Sequence, residues 1–278
     1  MTTNDSQKVS LSLQTPSYII CKKILPLLII LAVSIVLGCT SLNRHLVMEP
    51  MSFYEAGKAL AFIQDQEDRI YSFITSGTVS IGAWMTAHKA NILIFGTRDP
   101  FRLKIEVTHP WGGRLFHILI KDTTLEVLSF EEKTLYAGTF TPYFLSKFLP
   151  GLNLDRDFVW SVARGYPILL EHSRFASFGA GQISLLNYDG TPIEVINMLE
   201  NSKLPQEVLF PSHDIMLDFT AYKEINGIYY AQEVKVGGAS GDKELVIHYE
   251  KMVFNTAVIS TRDFTMSPPP GFETIYLH

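Results

Sequence analysis

The sequence predicts a mainly β protein with a few helices, built on an antiparallel sheet curved enough to bury one face, as a half-barrel or a closed barrel. Three observations carry this. About a dozen segments alternate apolar and polar residues, the period of a strand with one buried face. Asp189-Gly190 and Asn226-Gly227 supply residues that tolerate positive φ and mark hairpin turns. Two helical stretches fall between the first and second sets of strands, placed to cover the open side of the sheet.

Residues 41–50 read as a short tether. Phe53, Ala56, Leu60, Ile63, Ile70 and Phe73 then recur at helical spacing, with Lys58, Asp65, Asp68 and Arg69 largely on the other side. Such a helix suits packing on the domain's own sheet, and its mixed charge argues against a basic membrane-binding face. From Gly77 the period becomes two, giving strands near 77–85, 90–97, 101–108, 113–121, 124–130 and 133–139. The third is the clearest: Phe101, Leu103, Ile105 and Val107 point one way, Arg102, Lys104, Glu106 and Thr108 the other. Helices over 142–149 and 155–163 follow, with Pro142 in a first turn and Asp155 as N-cap. Strands return near 181–187, 192–198, 206–210, 214–223, 228–237 and 243–254, where Ile215, Leu217 and Phe219 alternate with Met216, Asp218 and Thr220. Residues 237–242 form a flexible loop, and Pro268-Pro269-Pro270-Gly271 ends the regular structure. No repeat of fixed period is present.

The N-terminal region divides the chain into 1–38, 39–50 and 51–278. Lys22 and Lys23 precede an apolar run, Ile24 to Leu37, that as a helix spans about 21 Å, short for a hydrocarbon core of roughly 30 Å and normal for a signal peptide. Val36-Leu37-Gly38-Cys39 resembles a bacterial lipobox. That resemblance implies cleavage before Cys39, a diacylglycerol thioether on its sulfur and acylation of the new amino terminus. Thr40, where an inner-membrane retention Asp would stand, points to the outer membrane. Two or more acyl chains, at about 0.8 kcal/mol per CH₂, give a stable anchor.

The whole chain carries a net charge of −5, and removing residues 1–38 takes away Lys8, Lys22, Lys23 and Asp5, leaving a more acidic domain. Nucleic acid, whose affinity comes mostly from phosphate neutralisation, is excluded as a partner. The only cysteines are Cys21 and Cys39, so no disulfide joins the mature chain, and the eight histidines have no metal-ligand spacing. Roughly 240 mature residues suffice for one β domain.

Enzyme signatures are lacking. There is no Gly-x-Ser-x-Gly elbow, Gly179-Ala180-Gly181 lacks the third glycine of a dinucleotide site, and Asp155 and Asp157 suit capping rather than acid–base work. A non-enzymatic protein with no cofactor and no metal is expected.

The connection Thr108-His109-Pro110-Trp111-Gly112-Gly113 is unlike an ordinary hairpin turn. Pro110 fixes φ, the glycines let the chain reverse, and an indole at the tip suits a water–lipid interface. Here the chain resembles the LolB-like outer-membrane lipoproteins, which take lipoproteins from the periplasmic carrier LolA and insert them into the outer membrane. The resemblance runs through 102–112, similar to the family's Arg-Leu-rich strand followed by Asn-Pro-Leu-Gly, and through Leu135-Tyr136-Ala137-Gly138. It continues through 142–160, Ala163-Arg164-Gly165-Tyr166-Pro167, 249–255 and 264–270. It implies an unclosed antiparallel half-barrel of about eleven strands plugged by helices, an apolar cavity for acyl chains, and a monomer on the periplasmic face of the outer membrane served by a LolA-like carrier. It also implies a membrane-insertion loop of His109, Pro110, Trp111 and Gly112, with Trp111 where transferring members carry Leu. Polar inserts near 171–180 and 198–213 lengthen the chain. The parity of the strands assigns Ile92, Ile94, Leu103, Ile105, Val107, Leu217 and Phe219 to the cavity face. The alternative is a structural or scaffolding envelope lipoprotein with a filled barrel and a protein partner.

Overall fold

Fourteen strands join in one sheet in the computed structural model, which describes residues 50–82, 88–148, 154–238 and 244–277. The leader 1–38, Cys39 and the tether up to residue 49 lie outside the described residues. So do the ends of the predicted strands 77–85 and 243–254, of the predicted helix 142–149, and most of the predicted loop 237–242.

Helix α1 (Phe53–Asp68) opens with a capping box: Ser52 Oγ accepts from the Glu55 amide at 3.2 Å and the Glu55 carboxylate accepts from the Ser52 amide at 3.0 Å. Ala56, Ala59, Leu60 and Ile63 form its buried face. The helix stops at Asp68, and β1 begins at Ser72, five residues before the expected Gly77. Ile70 and Phe73 fit the helical period by coincidence; Phe73, Thr75, Gly77 and Val79 are buried alternately, which is a strand.

Strands β1 (Ser72–Ile81), β2 (His88–Thr97), β3 (Arg102–Thr108), β4 (Arg114–Lys121), β5 (Thr124–Ser129) and β6 (Thr134–Thr139) form consecutive antiparallel hairpins. Helices α2 (Pro142–Ser146) and α3 (Arg156–Arg164) come next, capped by Thr141 and Asp155. The second set is β7 (Arg174–Gly179), β8 (Gln182–Leu186), β9 (Pro192–Met198), β10 (Pro205–Phe210), β11 (Ile215–Ile225), β12 (Ile228–Gly237) and β13 (Glu244–Phe254). Pairing of β13 with β1 fuses the two sets. At that seam Gly77 sits beside a bulge, and a Cβ there would lie 2.0 Å from the His248 carbonyl oxygen, so the backbones approach as only glycine allows.

Strand count exceeds the expected eleven. β7 falls in the segment read as a polar insert, and β10 lies in the other. Strand β14 (Glu273–Leu277) follows the proline run that was expected to end regular structure, and it pairs parallel with β6. Both missed strands are edges with exposed or half-exposed side chains, so neither displays an alternating apolar face. To reach β6 the chain leaves β13 and crosses the outer face of the sheet, where residues 265–269 lie over Lys104, Glu106, His117 and Leu128. Burial, aided by Lys104 and Arg114 and opposed by Glu106, holds the His117 imidazole below its ordinary pKa.

The sheet order runs from β14 at one edge to β7 at the other, with no pairing between these two among the described residues. The half-barrel is unclosed, as expected. Helix α1 bridges one end of it: Gln66 donates to the Gly227 carbonyl (3.1 Å) and accepts from the Tyr229 amide (2.9 Å), Glu67 pairs with Arg98 (2.7 Å), and Phe53 stacks on Phe175.

Candidate functional site

Register defines the concave face. Directly opposed residues of an antiparallel pair share a face, so Phe219, Val234, Ile247 and Val79 form one row, and Ile94, Ile105, Ile118 and Val127 another. Ile92, Val107 and Phe116 form a third. All seven residues assigned by parity therefore lie on one continuous inner surface.

Helix α3 crosses this surface and supplies the opposite wall. Its C-terminal turn is locked: Tyr249 Oη donates to the Val162 carbonyl, and the buried Arg164 guanidinium donates to the Tyr166 and Pro167 carbonyls. Desolvation lowers the Arg164 pKa to about 10, with Glu67 opposing the shift, so the group stays charged at neutral pH. Gly165, with φ of +71°, ends the helix against β12.

Between α3, Leu145 of α2 and the inner face of β1–β4 and β13 lies a cavity of about 70 Å³ lined by apolar side chains alone. Ile92, Ile94, Ile105 and Val107 line it, whereas Leu103, Leu217 and Phe219 are buried on the same face but beyond its limits. The sequence reading set the 155–163 helix over the open side of the sheet but named none of its residues for the lining, Val159, Val162 and Ala163, although the run of apolar residues after Asp155 could have signalled them. The volume is well below the roughly 150 Å³ that admits benzene, so an acyl chain requires the interior to widen. Ile105 and Phe116 are the half-buried members of the lining on β3 and β4.

Those two strands also carry the indole loop. The His109 amide donates to the Gly113 carbonyl (2.7 Å) and the Gly112 amide to the His109 carbonyl (2.9 Å), with Gly112 at φ +94°. Trp111 projects into solvent, 80% exposed, and does not plug the barrel mouth. Among the described residues its ring neighbour is His109, stacked at 4.5 Å. Pro110 and Gly112 are exposed beside it.

Among the described residues no group of three or more His, Cys, Asp or Glu side chains could hold a metal ion, and no helix is long and apolar enough to cross a membrane.

An open antiparallel sheet wrapped around helices, with an apolar hollow at their contact, defines the chain as a helix-filled β half-barrel. No family model and no curated protein matches the sequence. The fold is similar to that of a DUF1329 family protein from Desulfovibrio piger, with 12% identity, a TM-score of 0.53, and 76% of this chain and 97% of that one covered. A LolA superfamily protein from Nitrosomonas europaea aligns at 14% identity and a TM-score of 0.49, covering 75% and 97%. An outer-membrane lipoprotein-sorting protein domain from Vibrio parahaemolyticus aligns at 13% and 0.42, also covering 75% and 97%. At such identities the likeness is one of fold, and the assignment of the fold rests on the first of the three.

Proposed function

We propose that this protein is a non-enzymatic acyl-chain acceptor, anchored to the periplasmic face of the outer membrane through lipidated Cys39, that receives lipoproteins from a LolA-like carrier and delivers them to the bilayer. One observation carries the reading: the strands that wall a wholly apolar cavity, β3 and β4, are joined by a loop that holds Trp111 in solvent. An acyl chain would enter between the inner face and α3 while the indole enters the lipid interface. Each methylene buried contributes about 0.8 kcal/mol, so small differences in fit between carrier, cavity and membrane accumulate along a chain and set a direction without ATP.

The small cavity favours a second reading, a scaffolding envelope lipoprotein with a filled barrel. Native mass spectrometry of residues 40–278, secreted from a bacterial host, separates the two. Acyl lipid bound at about one per chain supports the acceptor. Lipid-free protein bearing a stoichiometric protein partner supports the scaffold and rejects the acceptor.

A further inference from the structure

The chain enters the domain beside a patch of exposed aromatic rings. Among the described residues only two phenylalanines are exposed, Phe53 at 75% and Phe178 at 66%, and the fold brings both to the point where the tether ends. The Met51 amide donates to Ser177 Oγ at 3.0 Å, which fixes the start of α1 on β7. Phe53 stacks on Phe175 with ring centroids 4.5 Å apart and planes 12° apart. On β7, Ala176 opposes Ser184 and Gly179 opposes Gln182, so a bulge sets Ser177 and Phe178 together against Ile183, on the side of the sheet that meets α1. Tyr54, 68% exposed, adds a third ring, and Lys58 Nζ lies 4.3 Å from its centroid.

The core does not use these exposed rings. α1 packs on the sheet through Ala56, Ala59, Leu60 and Ile63. Single apolar residues at a surface need no explanation, whereas several rings gathered in one place mark a contact. The stack on Phe175 holds the Phe53 ring in one orientation, so covering it costs little further rotamer freedom. Rings flanked by a lysine suit the water–lipid interface, the apolar bodies lying in the headgroup layer and the ammonium at the phosphates. Glu55, the carboxylate of the same turn, is held by Ser52. The tether points to the occupant: residues 39–50 span at most about 40 Å when extended, so a lipidated Cys39 keeps this end of the domain near the bilayer at high effective concentration.

We propose that the first turn of α1 and the bulge of β7 form a membrane-docking patch, in which Phe53, Tyr54 and Phe178 enter the interface of the bilayer that holds Cys39. The patch rests on the lipid-anchor part of the proposed function and not on acyl uptake. It is separate from the Trp111 loop, which joins strands nearer the other edge of the sheet.

The mature lipoprotein, produced in a bacterial host and reconstituted in vesicles of phosphatidylethanolamine and phosphatidylglycerol, tests this. The variants are Phe53→Trp, Phe178→Trp and, as control, Tyr188→Trp, an exposed ring in the β8–β9 turn at the far end of β8 from the β7–β8 turn. Each is compared with the parent in vesicles with and without brominated acyl chains. The emission added at positions 53 and 178 is expected to fall about twofold with brominated chains, and that added at 188 to stay unchanged. Quenching at 53 and 178 no greater than at 188, in protein that floats with the vesicles, overturns the patch and leaves the anchor standing. Protein that does not float overturns both. A dimer in detergent that Phe53→Ser with Phe178→Ser converts to monomer assigns the rings to a second copy and likewise overturns the proposal.

Discussion

His109 and Trp111 stack with ring centroids 4.5 Å apart and planes 8° apart, at the tip of a loop whose indole is otherwise bare to solvent. The stack stiffens the tip without hiding it, because one indole face and the N–H edge remain free. Trp111→Ala is therefore expected to leave folding stability within about 0.5 kcal/mol of the parent while weakening partition into lipid vesicles at least about fivefold. Urea unfolding followed in parallel with vesicle co-sedimentation checks both halves. Unchanged partitioning would remove the loop from any account of membrane contact.

Ile105 offers the test of the hollow. It opposes Ile94 on one side and Ile118 on the other, lines the cavity, and is half-buried, so a larger side chain meets space rather than a closed core. Ile105→Trp is expected to abolish uptake of a fluorescent fatty acid at a stability cost of about 1–2 kcal/mol, toward the low end of the cost of overpacking a filled core. A variant that loads acyl probe as well as the parent would place the binding site elsewhere.

Much of the inner face was legible in the sequence because β3 and β11 alternate cleanly, and alternation is the direct image of a sheet with one wet side. Ile92, Ile94, Ile105 and Val107 reach the cavity by parity alone. Leu103, Leu217 and Phe219 share the face but not the hollow, since parity fixes the side of a sheet and not the position of a helix laid across it. The apolar run after Asp155 marks α3 as buried, but its place as the opposite wall depends on tertiary docking, through Tyr249 and Arg164, that no local pattern announces. Edge strands β7 and β14 escaped for the reason already seen in their exposure: a strand with no buried side leaves no period to read.

The β1–β13 seam predicts a sharp backbone effect. At Gly77 any Cβ meets the His248 carbonyl oxygen at 2.0 Å, a backbone atom that cannot swing aside. Gly77→Ala is expected to cost about 3 kcal/mol or more, through separation of β1 from β13. Val79 and Ile247, two positions along the same pairing, line the cavity, so surviving folded protein is expected to show altered acyl-probe affinity as well. Thermal unfolding of the variant beside Gly57→Ala, whose Cβ would make only an ordinary 3.6 Å contact with Phe175, supplies the control.

Glu194 makes stability depend on pH in a direction opposite to that of most carboxylates. The side chain is fully buried in β9; one oxygen accepts from the Leu170 amide at 2.8 Å and the other has no partner among the described residues. Desolvation pushes its pKa up to about 8, with the negative charge of Glu67 adding to the shift and the Leu170 hydrogen bond opposing it. Below pH 4.5 the carboxyl is protonated in folded and unfolded chains alike, and its burial carries no ionisation penalty. Between pH 4.5 and 8 the unfolded chain ionises while the folded one stays protonated, so each unit of rising pH removes about 1.4 kcal/mol, up to about 5 kcal/mol in total, from this group's contribution. The loss is complete once the folded carboxyl itself titrates. Glu194→Gln keeps an acceptor for the Leu170 amide and removes the titration, so its urea midpoint is expected to exceed that of the parent increasingly from pH 5 to pH 8. Parallel midpoint curves for parent and variant across that window would show that Glu194 ionises in the folded protein as it does in the unfolded chain.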